Sequence, residues 1–158
     1  MSTILFVHVA LSLIGIASGL VVFLGYLNGK TLAGWTMLFL ATTVLTSATG
    51  YALPADRVLP SHVVGGISLL VLAVALAALY VFHLAGPWRW IFVASAAIAL
   101  YLNVFVGVVQ AFQKVPFLHP LAPTQSEPAF FIAQILVLLL FIAVGIAAAR
   151  RFHPTLPS

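Results

Sequence analysis

The chain has 158 residues, of which 64% are hydrophobic and only 5% are charged, whereas soluble domains carry about 25% charged residues. Six Lys and Arg residues with two Asp and Glu residues cannot coat a water-soluble core, so most of the surface must face lipid. The net charge of +4 rests on basic residues scattered singly or as one pair, which excludes a nucleic-acid-binding surface, and the absence of cysteine excludes disulfides and thiolate metal sites.

Five apolar stretches are each long enough to cross a bilayer as a helix, which requires roughly 20 residues. The first stretch has no basic segment before it, so it is predicted to stay as a helix and not to be a cleaved signal peptide. The segments between the stretches contain Gly, Pro and Asn, which typically end helices. The predicted spans cover residues 3–26, 32–53, 60–83, 88–112 and 129–149.

The sequence therefore predicts an all-α fold, a polytopic membrane bundle of five transmembrane helices that forms a single domain over residues 1–158. Basic residues favour the cytoplasmic side of a membrane. One end of the predicted bundle carries Arg57 and Lys114 beside both acidic residues. The other end, which includes the C-terminus, carries more basic residues, so we expect the N-terminus outside and the C-terminus in the cytoplasm. These residues are Lys30, Arg89, Arg150 and Arg151.

Polar side chains gather in the half of the predicted bundle that faces outward. Such groups need partners in lipid, and ionisable ones commonly mark function, so we predict a polar site in the outer leaflet. Histidines lie near the start of the first and third spans, at a similar depth. The residues predicted to contact a cofactor there are Thr46, Asn103, Gln110 and Gln134.

Small and polar residues form a stripe at helical spacing in the first span: His8, Ser12, Gly15 and Gly19. A stripe of this composition is expected to face protein and not lipid. The pairs Gly15–Gly19 and Gly25–Gly29 are GxxxG patterns, which allow close approach of helices. They also suggest a homo-oligomer, or a partner within a membrane complex.

Three histidines and one carboxylate are predicted to reach the same outer-leaflet site. His8 and His62 come from the first and third spans, and His119 and Glu127 come from the segment between the fourth and fifth spans. Imidazole with carboxylate suits a transition metal such as Zn, Fe or Cu. We therefore predict a metal site at these four residues. Haem b between His8 and His62 is the alternative cofactor.

The segment 113–128 contains four prolines, which restrict its backbone. We predict that it forms an ordered cap over the outer-leaflet site. Its apolar residues Val115, Phe117 and Leu118 are expected to pack downward.

Other hypotheses remain open beside the metal or redox cofactor. His8 and His62 could be ordinary polar contacts between helices. The site could be a pocket for a quinone, a lipid or a small solute, or the chain could be a non-catalytic assembly subunit. No motif specifies a reaction, so whether the protein is an enzyme stays undecided. The aromatic rim expected for a pocket is Tyr51, Phe117, Phe130 and Phe131.

Three segments resemble a group of small, uncharacterised bacterial inner-membrane proteins with several spans. They are Tyr101–Val106, Leu121–Pro128 and the Pro60-Ser61-His62 entry to the third span. The resemblance covers most of the chain and implies a location in the bacterial inner membrane. It implies no activity and assigns no role to any residue.

Overall fold

The computed structural model of the chain describes residues 2–154, so Met1 and residues 155–158 of the predicted domain lie outside the described residues. Within residues 2–154, 79% of the chain is helical and no strand occurs, which confirms the all-α prediction. A π-helical turn, Ala77–Val81, continues the third helix, and a 3-10 turn, His119–Leu121, precedes the fifth. The five α-helices are α1 Thr3–Leu27, α2 Ala33–Ala52, α3 Pro60–Leu76, α4 Trp88–Lys114 and α5 Pro128–Arg151.

Four of the described helices are long and apolar enough to cross a membrane, namely α1, α3 with its π-turn, α4 and α5. The chain is therefore compatible with a multi-pass membrane protein in contact with the lipid bilayer. The helix α2 has 20 residues but falls below this apolar standard, because several of its residues are threonine. Four of these hydroxyls donate to the carbonyl four residues earlier, so they are satisfied within the helix. They belong to Thr42, Thr43, Thr46 and Thr49.

The helices form a closed ring in which each packs on its chain neighbours and α5 returns to α1. The helix α4 also contacts α1 and α2, and it is the most buried of the four apolar helices. Neighbours in the chain run antiparallel. Tyr26 and Thr36 meet at one end of the α1–α2 pair, and His8 and Thr49 meet at the other. We call the end where α1, α3 and α5 begin the N-terminal end of the bundle.

The opposite end of the bundle holds the tightly packed apolar core. Tyr26, Phe92 and Phe152 are at most 2% exposed there, and their rings contact one another. Arg89 Nη1 donates to two carbonyls at the end of α5, and Arg151 Nη1 donates to a carbonyl at the end of α1. These bonds satisfy carbonyls at helix C-termini and link α4 to α5 and α5 to α1 at that end.

The predicted helix boundaries agree with the structure to within two residues, apart from the end of the third span. There the α-helix stops at Leu76 and the π-turn stops at Val81. His83 and Leu84 then adopt positive φ angles of 48° and 58°, which ends the helix before residue 83, the predicted boundary.

Candidate functional site

A cavity of about 360 Å³ lies between α1, α2, α3 and α4 in the N-terminal half of the bundle. Its volume is within the range of small-molecule sites. Along α4 the cavity extends from Leu102 to Lys114, a rise of about 18 Å in a hydrocarbon layer of about 30 Å. Gln110 and Lys114 are exposed, so the cavity opens at the N-terminal end.

The structure brings five of the eight residues predicted for the site to this one cavity. They come from four different helices. The depth of each residue along its helix is what predicted that all five lie in the same half of the bundle. The five residues are His8, Thr46, His62, Asn103 and Gln110.

His8 lies on α1 and is half-buried against the C-terminal turns of α2. Its Nδ1 lies 3.0 Å from Thr49 Oγ1. A Cβ atom at Gly50 would lie 3.5 Å from His8 Cε1, an ordinary van der Waals contact. The ring is therefore held by a hydrogen bond on one side and by the α2 backbone on another, beside the cavity.

His62 lies in the first turn of α3, which begins with proline. Its Nδ1 accepts a hydrogen bond of 2.9 Å from the backbone N–H of Leu59. The imidazole stacks on the ring of Tyr51, with the ring centroids 5.4 Å apart, and the Tyr51 hydroxyl donates to the His62 carbonyl. His62 thus caps its own helix and anchors α3 to the end of α2.

The floor of the cavity is a polar contact between α1 and α4. Ser12 Oγ donates to Asn103 Oδ1 over 2.8 Å, and Asn103 is only 8% exposed. Gly15 makes this approach possible, because a Cβ there would lie 3.1 Å from both Asn103 Nδ2 and Thr43 Oγ1. The prediction that the α1 stripe faces protein is confirmed.

The GxxxG pair Gly15–Gly19 is also used within the chain. A Cβ at Gly19 would lie 2.6 Å from Leu100 Cδ1 and 3.0 Å from the Phe39 ring. Both glycines are buried against α2 and α4. The close approach of this pair is thus made by helices of the same bundle, and a homo-oligomer or a partner in a membrane complex stays a prediction.

Gln134 does not line the cavity, contrary to prediction. Its Nε2 donates to the Phe105 carbonyl over 3.2 Å, so the side chain lies between α4 and α5. Among the described residues, its Oε1 is buried with no hydrogen-bond partner. The error arises from helix rotation: Gln134 has the predicted depth, but α5 presents it to the far side of α4.

His119 and Glu127 also lie away from the cavity, in the segment before α5. His119 Nδ1 donates to the Phe112 carbonyl over 3.2 Å. The Glu127 carboxylate accepts hydrogen bonds from the hydroxyl and amide of Thr124 and from the amide of Ser126. The Thr124 hydroxyl above all, and then these amides, hold the pKa of Glu127 below its ordinary value.

The four predicted metal ligands are therefore not assembled. Residues 2–154 contain no group of three or more His, Cys, Asp or Glu side chains placed to hold one metal ion. The cavity itself offers two imidazoles, one from His8 and one from His62, with neutral amides and hydroxyls around them. Two imidazoles fall short of the three or four protein ligands of a typical zinc site, and a transition metal here stays a prediction. Haem b between the two histidines stays a prediction.

The segment 113–128 is ordered, as predicted, but it does not cover the cavity. Leu118 and the fully buried Ala122 pack with Phe112 and Phe130 against the ends of α4 and α5. Phe117 is 73% exposed instead of packing downward. From this segment only Lys114, the last residue of α4, lines the cavity, and Tyr51 is the single member of the predicted aromatic rim that does.

Sequence reasoning missed Ser68, which lines the cavity from α3 and is 5% exposed. It lies three residues after Gly65, which also lines the cavity, so the helical spacing counted from Gly65 could have found it. Lys114 stands at the open end and brings a positive charge to it.

The cavity combines apolar walls with a few polar groups, and its described lining contains no carboxylate. Such a lining suits an uncharged or acidic molecule with an apolar body. No protein-family model, no curated protein and no solved structure matches this chain significantly, so the argument about function rests on the cavity itself.

Proposed function

We propose that this chain is a multi-pass membrane protein that binds a small amphiphilic molecule in the cavity between α1, α2, α3 and α4. One observation supports this above all: five polar side chains that the sequence predicted for the site, from four helices, line one cavity in a protein that is otherwise strongly apolar. Polar groups within a membrane are costly and are commonly retained for function.

The lining of the cavity favours an amphiphile over a fully polar solute. The walls include Leu13, Ile16 and Val106, whereas His8, His62 and Gln110 lie nearer the open end. A bound molecule would place its polar group among the histidines and Gln110, and its apolar part against the apolar walls. Apolar walls with a few polar anchors are the usual composition of small-molecule sites.

In this proposal all five helices cross the membrane, α2 included. The 20 residues of α2 span about 30 Å as a helix. Its packing against α1 and α3 and its internally bonded hydroxyls support this assignment. The distribution of basic residues supports an N-terminus outside, and the resemblance noted above supports the bacterial inner membrane.

Reporter fusions at Lys30 and Thr124 should then report opposite sides of the membrane. The same side for both would refute the topology.

Filling the cavity tests the proposed function. Gly107 lines it, and a Cβ there would make only an ordinary contact of 3.7 Å with Ile16, so Gly107→Leu should fold while its larger side chain occupies the space. Gly34→Leu is the matched control, because a Cβ at Gly34 meets nothing within 4 Å. The protein is purified in lipid nanodiscs, and an organic extract is analysed by mass spectrometry.

We expect the wild type and Gly34→Leu to retain a small molecule in stoichiometric amount, and Gly107→Leu to lose it. Retention in all three proteins, or in none, would contradict the proposal. Elemental analysis of the same samples checks the cofactor hypothesis. A stoichiometric transition metal that is lost only from Gly107→Leu would show that the cavity holds a metal and not an amphiphile.

A further inference from the structure

The hydrogen bonds of His8 determine which of its ring nitrogens carries hydrogen. The Thr49 hydroxyl has a single hydrogen, which it donates to the Leu45 carbonyl over 2.7 Å. Its oxygen must therefore accept the 3.0 Å bond from His8 Nδ1. In the neutral imidazole that the membrane interior favours, Nε2 is then an unprotonated acceptor.

His62 has the opposite arrangement. The backbone N–H of Leu59 can only donate, so His62 Nδ1 must be the acceptor of their 2.9 Å bond. A neutral imidazole that accepts at Nδ1 carries its hydrogen on Nε2. In each histidine Nδ1 therefore bonds to the protein. Nε2 is left for a ligand, as an acceptor in His8 and as a donor in His62.

The two rings lie against consecutive residues of α2. A Cβ at Gly50 would contact His8 Cε1 at 3.5 Å, and the Tyr51 ring stacks on His62. Both histidines line the same cavity, as do Gly50 and Tyr51. The cavity therefore offers one hydrogen-bond acceptor, from His8, and one donor, from His62, with the Tyr51 ring stacked on the latter imidazole.

We propose that the amphiphile bound here is a hydroquinone. One ring hydroxyl donates to His8 Nε2, the second oxygen accepts from His62 Nε2–H, and the flat ring lies near Tyr51. This inference rests on the proposed function and adds the chemical class of the ligand. A carboxylate anion has no hydrogen to donate to His8. A neutral carboxylic acid has the same pair of groups, so the experiment includes one.

The test is equilibrium binding by calorimetry to the full chain in phosphatidylcholine nanodiscs under anaerobic conditions. The probes are duroquinol, duroquinone, which has the same ring without hydroxyl hydrogens, and decanoic acid. We expect the wild type to bind duroquinol about 3- to 10-fold more tightly than duroquinone, the factor for one hydrogen bond. Equal affinities for the two, or tighter binding of decanoic acid than of duroquinol, would overturn the inference.

Variants separate the two histidines. His8→Leu should abolish the preference for duroquinol while keeping the affinity for duroquinone, and His62→Leu should weaken both probes about equally. His153→Leu, an exposed histidine at the opposite end, should change neither affinity. A duroquinol preference that survives in His8→Leu would overturn the assignment.

Thr49→Val tests whether the effect of replacing His8 is only structural. This variant keeps the imidazole but removes the oxygen that holds hydrogen on Nδ1. The preference for duroquinol should fall while duroquinone still binds, whereas a misfolded cavity would lose both. If no probe binds and the wild type still retains a molecule that Gly107→Leu loses, the hydroquinone assignment fails and the proposed function stands.

Discussion

Gly15→Ala should loosen the floor of the cavity. A Cβ at this position would lie 3.1 Å from Asn103 Nδ2 and 3.1 Å from Thr43 Oγ1, closer than side-chain atoms normally approach. Neither neighbour can move freely. Asn103 is bonded to Ser12, and the Thr43 hydroxyl donates to the Phe39 carbonyl over 2.7 Å.

The expected magnitude follows from two opposing effects. An extra methyl group in a well-packed interior costs about 1–3 kcal/mol. Alanine in place of glycine within a helix contributes about 0.5–1 kcal/mol of stability. The free energy of unfolding of Gly15→Ala should therefore fall by about 1 kcal/mol, within a range from zero to about 2.5 kcal/mol. Gly34→Ala is the control; because its Cβ meets nothing within 4 Å, only the helix effect remains and stability should rise slightly.

Equilibrium unfolding in mixed micelles of mild and denaturing detergent measures both variants against the wild type. The sign of the difference between the two alanine variants is the decisive result. If Gly15→Ala is as stable as Gly34→Ala, then α1 does not pack against Asn103 and Thr43 as closely as described. The account of the cavity floor would then be wrong.

Three further outcomes are expected. A double-mutant cycle of Ser12→Ala and Asn103→Leu should give a coupling free energy of about 0.6 kcal/mol, as for other hydrogen bonds between membrane helices, and a coupling of zero would remove that bond. Because the pKa of Glu127 is lowered in the folded chain, its carboxylate stabilises the fold above the unfolded pKa, and this contribution is lost as the pH falls through the folded pKa. Thr124→Val should raise that pKa in an NMR titration, and an unchanged pKa would contradict the assigned cause. Arg89→Met should lower the unfolding temperature, since it leaves two carbonyls at the end of α5 without their donor; an unchanged temperature would show that the caps contribute nothing.

The sequence by itself determined the helices and the half of the bundle in which most of the predicted polar residues meet. Apolar stretches of membrane-spanning length have few alternatives to a helix, because backbone groups in lipid must be satisfied internally. Depth along a helix follows directly from residue number at a fixed rise per residue. Hence His8 and His62 could be placed at the same end of the bundle, and the stripe through Ser12 could be assigned to a protein-facing side.

Only the tertiary structure decided which polar residues share a cavity. The rotation of α5 depends on how its side chains pack on α4, and this turned Gln134 toward Phe105 and away from the cavity. The path of the segment before α5 depends on the packing of Leu118 and Ala122, which carried His119 to the outer side of α4. The hydrogen bond of the His8 ring likewise depends on a neighbouring helix, because its partner Thr49 lies on α2. Depth is a local property of one helix, whereas the side to which a residue faces is set by contacts between residues far apart in the chain.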